Sequence, residues 1–436
     1  MSAILFPVSS QSRVGSCRGS SPAVLAAKPL RAGGEPLRRA TPAQISGAPE
    51  KGLLTSKIET CYDGTPGTMK TLGRFSLISV AALGLTFCSL VPSQKPAPSP
   101  SFAFPLQEEA RLEYDGEING GLRADGGKIY FSTKKGIVYA ADAVAKKIRW
   151  QFAAKASISS APAVGSDGVI FSDRENNLYC LGFDGKLRWE KKSSEAISGG
   201  IARNLEKVFL IMAEINIVAL ESASGNELWR FKADGAIRTA PVFWNQQVIF
   251  GTVEGKVYFL RPPGLLGSTF ETGTEVAGPL FVDRDRLYFS LKDGTFHCLR
   301  LASKKRLWTI KTGGYLMSLP AADNRRILFV TSNNVLFCLN KKGGNLDWWQ
   351  TISSRASFSP AIRDEQVFVA SRSPILVAMK KNGEPAGTYD AGGTLSSAPH
   401  CFGENLLINT YNPETAKGTL IFIKGAAPPK DSSKKK

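Results

Sequence analysis

The chain has 436 residues, with 55 Lys and Arg against 37 Asp and Glu, seven cysteines and only two histidines. That length admits one large domain or two or three ordinary ones, and an apolar fraction of 43% is ample for a sizeable core. The formal charge of +18 comes with no basic helix and no RNA-binding aromatic signature, which argues against a nucleic-acid reader and suits acidic protein or anionic lipid partners.

Residues 1–68 are rich in Ser, Ala, Arg, Gly and Pro, carry no acid before Glu35 and show no apolar periodicity, a composition that does not build a core. They read as a disordered extension, either upstream of the true start or a transit segment. Met69 opens a second text, MKTLGRFSLISVAALGLTFC over 69–88. Lys70 and Arg74 form a basic head, and Phe75 to Phe87 an apolar run short for a membrane span, the pattern of an export signal. Its end, Leu85-Thr86-Phe87-Cys88, resembles a bacterial lipobox, with Cys88 as the lipidation candidate, although Phe87 stands where a small residue is usual. Two other readings stay open: cleavage after Ser101-Phe102-Ala103 into an organelle lumen, or an uncleaved apolar anchor. All three place the rest of the chain outside the cytosol. Residues 89–107 are a Pro/Ser-rich tether.

From 108 to 424 one phrase recurs about every 40 residues, the period of propellers and repeat arrays. It begins with a Ser/Gly/Pro-rich lead-in, found at Glu117, Ser157, Ala196, Ala236, Glu275, Tyr315, Ala356 and Thr394. A strand-like run follows, such as KIYFST (128–133) or RLYFSL (286–291). Next comes a tight turn of the Asn-Asn or Asp-Gly kind, then a third strand such as NLYCL (177–181) or VLFCL (335–339). A second turn leads to a fourth strand with an aromatic residue, at Trp150, Trp189, Trp229, Phe270, Trp308, Trp348 and Tyr389. Four short strands per unit make a propeller blade, with the lead-in innermost and the aromatic docking against the next blade. Where a lead-in has a proline near its end, that proline is expected at a strand terminus, where no ladder donor is needed.

The eighth unit stops after TLIFIK (419–424) without an aromatic strand, while Ala110–Tyr114 precedes the first lead-in. The N-terminal strand is therefore expected to complete the last blade and close the ring. The fold expected is an all-β, eight-bladed β-propeller of four-stranded antiparallel blades, with seven blades as the fallback, followed by a basic tail over 425–436.

Units that end in GKLRWE (185–190) or GNELWRF (225–231), with third strands of the L-Y-x-L type and lead-ins ending S-S-A-P or T-A-P, resemble the PQQ-like repeat. The resemblance covers nearly all of 108–424, and no Gly-His or Trp-Asp signature of the WD40 type is present. With its export signal and lone propeller, the chain looks most similar to the BamB family of outer-membrane protein assembly lipoproteins. That resemblance implies an eight-bladed scaffold without catalysis, partners among envelope proteins, and a location on the periplasmic side of a membrane. The quinoprotein dehydrogenases share the repeat, but they are larger and bind their quinone and Ca²⁺ on the axis. This chain lacks their adjacent cysteine pair and long insertions.

No catalytic, cofactor-binding or metal residues are assigned. Most acids fall at turns, where a solvated role is usual. Cys180, Cys298 and Cys338 recur at one place in three repeats and read as small buried apolar residues, too far apart for disulfides. His297 beside Cys298 has no further ligand pair nearby. Candidate partner contacts are Leu265 and Leu266, in the insert RPPGLLGS that replaces a polar turn, and Trp349 of the Trp348-Trp349 doublet. Trp244 is an aromatic off the docking pattern. The expected function is a monomeric, exported interaction scaffold; a quinone- or ligand-binding propeller and a surface adhesin are the alternatives.

Overall fold

The computed structural model describes residues 102–158, 160–352 and 358–426. The extension 1–68, the apolar segment with Cys88, the tether up to residue 101 and the tail beyond 426 lie outside the described residues, as do the first two residues of the seventh lead-in.

The described strands form eight separate antiparallel sheets around a ring, an eight-bladed β-propeller. Blade 1 runs Ile118–Asp125, Lys128–Thr133, Ile137–Asp142 and Lys147–Ala153 from axis to rim. Blades 2 to 7 repeat this order, starting from Ala163–Gly165, Ile197–Arg203, Val242–Trp244, Val276–Asp283, Ala321–Ala322 and Ala361–Arg363. Blade 8 takes Thr394–Leu395 and His400–Phe402 as its innermost pieces, then Asn405–Asn412 and Lys417–Ala426. Its outermost strand is Ala103–Asp115, with Tyr114 opposite Gly418 and Leu112 opposite Leu420. The two ends of the propeller thus share one sheet, and the N-terminal strand covers the outer edge of Lys417–Ala426 that would otherwise be open.

Burial explains the texture of the repeat. The middle strands are covered on both faces by neighbouring blades, so runs such as GVIFS (168–172) and NLYCL (177–181) are buried at every residue and need no polar alternation. The outermost strands face water on one side and alternate, as in KIRWQFA. Core clusters span adjacent blades: Tyr288, Phe296 and Cys298 of blade 5 pack with Ile327, Phe329 and Leu339 of blade 6. The expected hairpin turns hold positive φ at Gly136, Asn176, Gly255, Gly294 and Asn334.

The lead-in proline does not end its strand. In the blades whose lead-in pairing is described, the innermost strand breaks in the middle, as in blade 5, where pairing stops at Ala277 opposite Ser290 and resumes at Phe281 opposite Tyr288. Pro279 sits in that gap, and Pro241, Pro320 and Pro399 sit in the corresponding gaps of blades 4, 6 and 8. A missing N–H costs nothing where the ladder is already interrupted.

The tryptophans bridge blades. The indole N–H of Trp150 donates to the carbonyl of Phe183 (3.0 Å), Trp189 to Ser222 (3.0 Å), Trp308 to Lys341 (2.9 Å) and Trp348 to Lys381 (2.8 Å), each 33 residues on and one blade further round. All of these tryptophans, and Trp229, stand opposite the fourth residue of the third strand, immediately after a bulge. Phe270 and Tyr389 do not stand there. They pair with Val257 and Leu376, the second residues of their third strands, and are level with Phe152 and Phe231. The tryptophan level in blades 4 and 7 is held by Ser268 and Gly387.

Candidate interaction surfaces

The turns joining the first to second and third to fourth strands emerge on one face of the ring, and those joining second to third strands on the other. Departures from the repeat concentrate on the first face. In blade 4 the turn ahead of the outermost strand is Arg261-Pro262-Pro263-Gly264, closed by a bond from the Gly264 amide to the Arg261 carbonyl (2.8 Å). It delivers Leu265 and Leu266 to the start of an outermost strand that carries one charge, Glu271. Both leucines are exposed, at 61% and 49%. The outermost strands of blades 1, 2, 3 and 5 each carry two or more Lys or Arg, the usual guard against edge pairing.

Beside this turn lies a groove of about 430 Å³ between blades 3 and 4, lined by Leu205, Phe243, Trp229 and Pro262 among others. Leu205 is 74% exposed. The buried indole nitrogen of Trp229 finds no acceptor, although the residue 33 further on, Pro262, lines the same groove. Trp349 is exposed in blade 6, opposite Phe337, at a level where blades 1, 2, 3 and 5 have Gln151, Glu190, Arg230 and Thr309. Trp244 ends the innermost strand of blade 4, and its indole N–H donates to the Arg284 carbonyl of blade 5 (2.7 Å).

A third departure is basic. A cleft of about 380 Å³ between blades 5 and 6 gathers Arg284, Arg286, Arg325, Lys341 and Lys342 against Asp283 and Asp285. Buried Lys341 is paired with Asp283 and also bonds the Asp323 carbonyl. Arg286 is bound to the Lys341 carbonyl, and Arg284 donates to Asn324 (2.7 Å). Arg325 and Lys342 remain as exposed cations on its wall.

Other ionic contacts clamp blade to blade. Arg203 of blade 3 is buried against Asp167 of blade 2 and bonds the Gly168 carbonyl (3.1 Å), while Ser222 donates to the other Asp167 oxygen (2.7 Å). Despite a burial cost that works the other way, Ser222 and Arg203 hold the Asp167 carboxyl below the usual range. Lys381 of blade 7 similarly reaches Asp323 of blade 6 (3.1 Å). Such pairs position elements and bring no second reactive group with them.

His297 and the described cysteines are also in structural settings. Burial, with Arg306 nearby, lowers the His297 imidazole to about 4; the ring stacks on Phe289 and its Nδ1 lies 3.0 Å from the Thr309 hydroxyl. Cys180, Cys298, Cys338 and Cys401 are free thiols, and burial pushes the first two up to about 11. Among the described residues no three His, Cys, Asp or Glu side chains gather in a metal-binding geometry. On the axis, the mouth at the second-to-third-strand turns is a cavity of about 400 Å³ where Glu117 is paired with Lys134 (2.5 Å) and Arg372 (3.4 Å). The opposite mouth, about 560 Å³, has Arg123 and no carboxylate in its wall. Neither Arg123 nor Leu205 stands out in the linear sequence. Arg123 becomes visible only when the lead-ins are aligned by strand register, and Leu205 only as an apolar residue in an otherwise polar turn.

A family model described as outer membrane protein assembly factor BamB matches residues 105–181, 134–325 and 305–410. Two curated proteins named outer membrane protein assembly factor BamB are similar. One, from Legionella pneumophila (strain Paris), is 25% identical over 178 residues, 40% of this chain and 42% of that protein. The other, from Moranella endobia (strain PCIT), is 22% identical over 309 residues, 68% of this chain and 71% of that protein. The chain thus spans less than half of the first relative and about seven-tenths of the second. Among solved structures, BamB from Moraxella catarrhalis superposes with a TM-score of 0.61 at 15% identity, covering 73% of this chain and 99% of that one. The computationally designed Ika8 protein gives 0.62 at 11% identity over 72% and 99%. At these identities the superpositions speak to the fold alone.

Proposed function

The chain belongs to the outer membrane protein assembly factor BamB family, and from that premise we propose that it is an exported, non-catalytic scaffold in envelope or outer-membrane protein assembly. Family membership carries the reading. It is supported by a rigid closed ring whose irregular features are exposed turns and edges, the places where a scaffold meets partners. Among the described residues the groups that catalysis would need are occupied otherwise: acids such as Asp167 and Asp323 clamp blades, and Cys180, Cys298, Cys338 and His297 are buried in packing. An axial quinone-and-Ca²⁺ site would call for carboxylates at its wall, and the wider mouth has none.

The partner contacts proposed are Leu265 and Leu266 with the adjoining apolar groove, Trp349, and the basic cleft for acidic segments of the partner. Aromatic and leucine anchors beside a charged rim are the usual anatomy of a binding surface. Attachment to the membrane would come through Cys88 or the apolar segment around it, and the propeller would act as a monomer. Depletion in the native organism is the test. Integral β-barrel proteins of the outer membrane should fall relative to other exported proteins; unchanged levels would remove the assembly role. The intact mass of the protein from native membranes separates the anchoring routes: a start at Cys88 with acyl chains means a lipoprotein, and a start near Phe104 without lipid means a soluble exported form.

A further inference from the structure

The innermost strands match closely enough to be compared level by level. Arg123 of blade 1 stands opposite Tyr130. At the same level the other seven blades carry Ala, Val or Phe, except blade 8, which places His400 there. Arg123 is thus the one charged residue among eight equivalent positions, and its imidazole neighbour comes from the adjoining blade.

Both line the axial cavity of about 560 Å³, whose wall is otherwise apolar or small, with Leu122, Phe281, Leu319, Pro320 and Ile362 prominent. Residues of blades 1 and 5, on opposite sides of the ring, share this wall, so the cavity sits across the axis. Among the described residues the Arg123 guanidinium makes one hydrogen bond, from Nη1 to the carbonyl of Leu122 (3.0 Å). It has no ion pair among the described residues, and its exposed surface opens onto the cavity. The surrounding walls take part of the water from the exposed group without supplying a counter-charge, which lowers its pKa. Burial, with Arg123 nearby, lowers that of His400 and favours the neutral imidazole.

An arginine held without a partner in a concave, largely apolar cavity is a receptor for an anion. We propose that this mouth of the axial channel binds a small organic monocarboxylate with an apolar body, the carboxylate on Arg123 and the body against the Phe281–Leu319 wall. The single cation selects the class. One carboxylate matches one guanidinium in charge and in its two-pronged geometry, whereas a phosphate monoester brings close to two negative charges and wants further cations. The neutral His400 ring adds a hydrogen-bonding group for a polar substituent.

The test is titration of the full-length chain with 3-phenylpropionate, followed by ligand-observed NMR. Saturable binding to one site is expected, with 3-phenylpropionamide at least about tenfold weaker, because a hydrogen bond to a charged group is worth that factor or more. Arg123→Gln should lose about the same factor with an unchanged melting temperature, since the side chain holds no other element in place. Arg123→Lys should fall between. Equal binding of acid and amide to the wild-type chain, no saturation, unchanged binding to the Gln variant, or equal competition by inorganic phosphate would each overturn the assignment.

Discussion

Trp308 of blade 5 lies so close over Gly344 of blade 6 that a β-carbon added to the glycine would fall 2.6 Å from the indole Cδ2. The glycine also sits at φ +73°. The same partnership joins Trp150 to Gly185, Trp189 to Gly225, Trp229 to Gly264 and Trp348 to Gly383, with added-carbon distances of 2.5 to 3.0 Å. Where the tryptophan level holds Leu112, Ser268 or Gly387 instead, the left-handed residue of the following turn is Lys146, Lys304 or Ala416. The backbone conformation is the same in both sets, so φ alone does not demand glycine here. The overlying indole does.

Gly344→Ala is therefore expected to cost about 2–4 kcal/mol, combining the left-handed penalty with overpacking against the ring. Lys304→Ala, at the same turn position with no indole above it, should change stability by less than about 1 kcal/mol. Urea unfolding of the two variants decides the matter. Equal costs would mean that the glycines answer to backbone geometry and not to the tryptophans.

Trp229 differs from its four counterparts in having a buried N–H with no acceptor. Replacing Trp308 with Phe breaks a bond to the Lys341 carbonyl, a net loss of about 1 kcal/mol beyond the lost ring area. Replacing Trp229 with Phe removes a donor that already lacks a partner, a relief of up to about 1–3 kcal/mol that offsets the smaller ring. Trp229→Phe should accordingly be the mildest of the tryptophan-to-phenylalanine series in equilibrium unfolding. Finding it as harmful as Trp308→Phe would show that its N–H is satisfied in solution.

The number of blades and the closure of the ring were legible because they rest on repetition: eight lead-ins, and an aromatic strand missing at one end and present at the other. The level of each aromatic was not. Phe270 and Tyr389 lie two residues beyond the tryptophan level, and a shift of two keeps a side chain on the same face of a strand. Spacing and amphipathic pattern are blind to such a shift; the bulge and the pairing partner reveal it. Leu265, Leu266 and Trp349 could be picked out as apolar residues in the wrong company, and they are exposed. Arg123 could not, because a single arginine in a basic chain signals nothing until the other blades show what its level normally holds. The break in each innermost strand also escaped the sequence, since a proline marks a missing donor equally well at a strand end and at an interruption.

Stability should fall as pH drops from about 6.5 to about 4, with His297 as one cause. Its folded pKa is lowered to about 4 from 6.5 by burial. Between those values the unfolded chain binds a proton that the native chain refuses, so acid favours unfolding; above 6.5 both states are neutral and the contribution is constant. His400, also lowered, acts in the same direction. His297→Phe should flatten this part of the profile by up to one proton's worth of slope. Carboxylates with lowered pKa such as Asp142, held at about 2 by turn amides and Arg149, begin to contribute only below about pH 5 and mostly below about pH 4, and they are common to wild type and variant. Urea midpoints across pH 4 to 7 for wild type and variant measure the difference, and parallel profiles would rule out a buried neutral imidazole.

The exposed leucines of blade 4 separate a binding role from a packing role. Leu265 and Leu266 contribute little to any core cluster, so Leu265→Asp with Leu266→Asp should leave the melting temperature within the range of ordinary surface substitutions, about 0.5 kcal/mol each. If they anchor a partner, the same change should lower recovery of the natively assembled complex several-fold, because charging a buried apolar anchor commonly costs 2 kcal/mol or more, to order of magnitude. Arg325→Glu with Lys342→Glu, on the wall of the basic cleft, supplies a contrast. It should make association slower and more weakly salt-dependent without removing an apolar anchor. A complex recovered intact from both double variants would move the partner surface away from this face of the ring. Loss with the leucine pair alone would place it at the rim of blades 3 and 4.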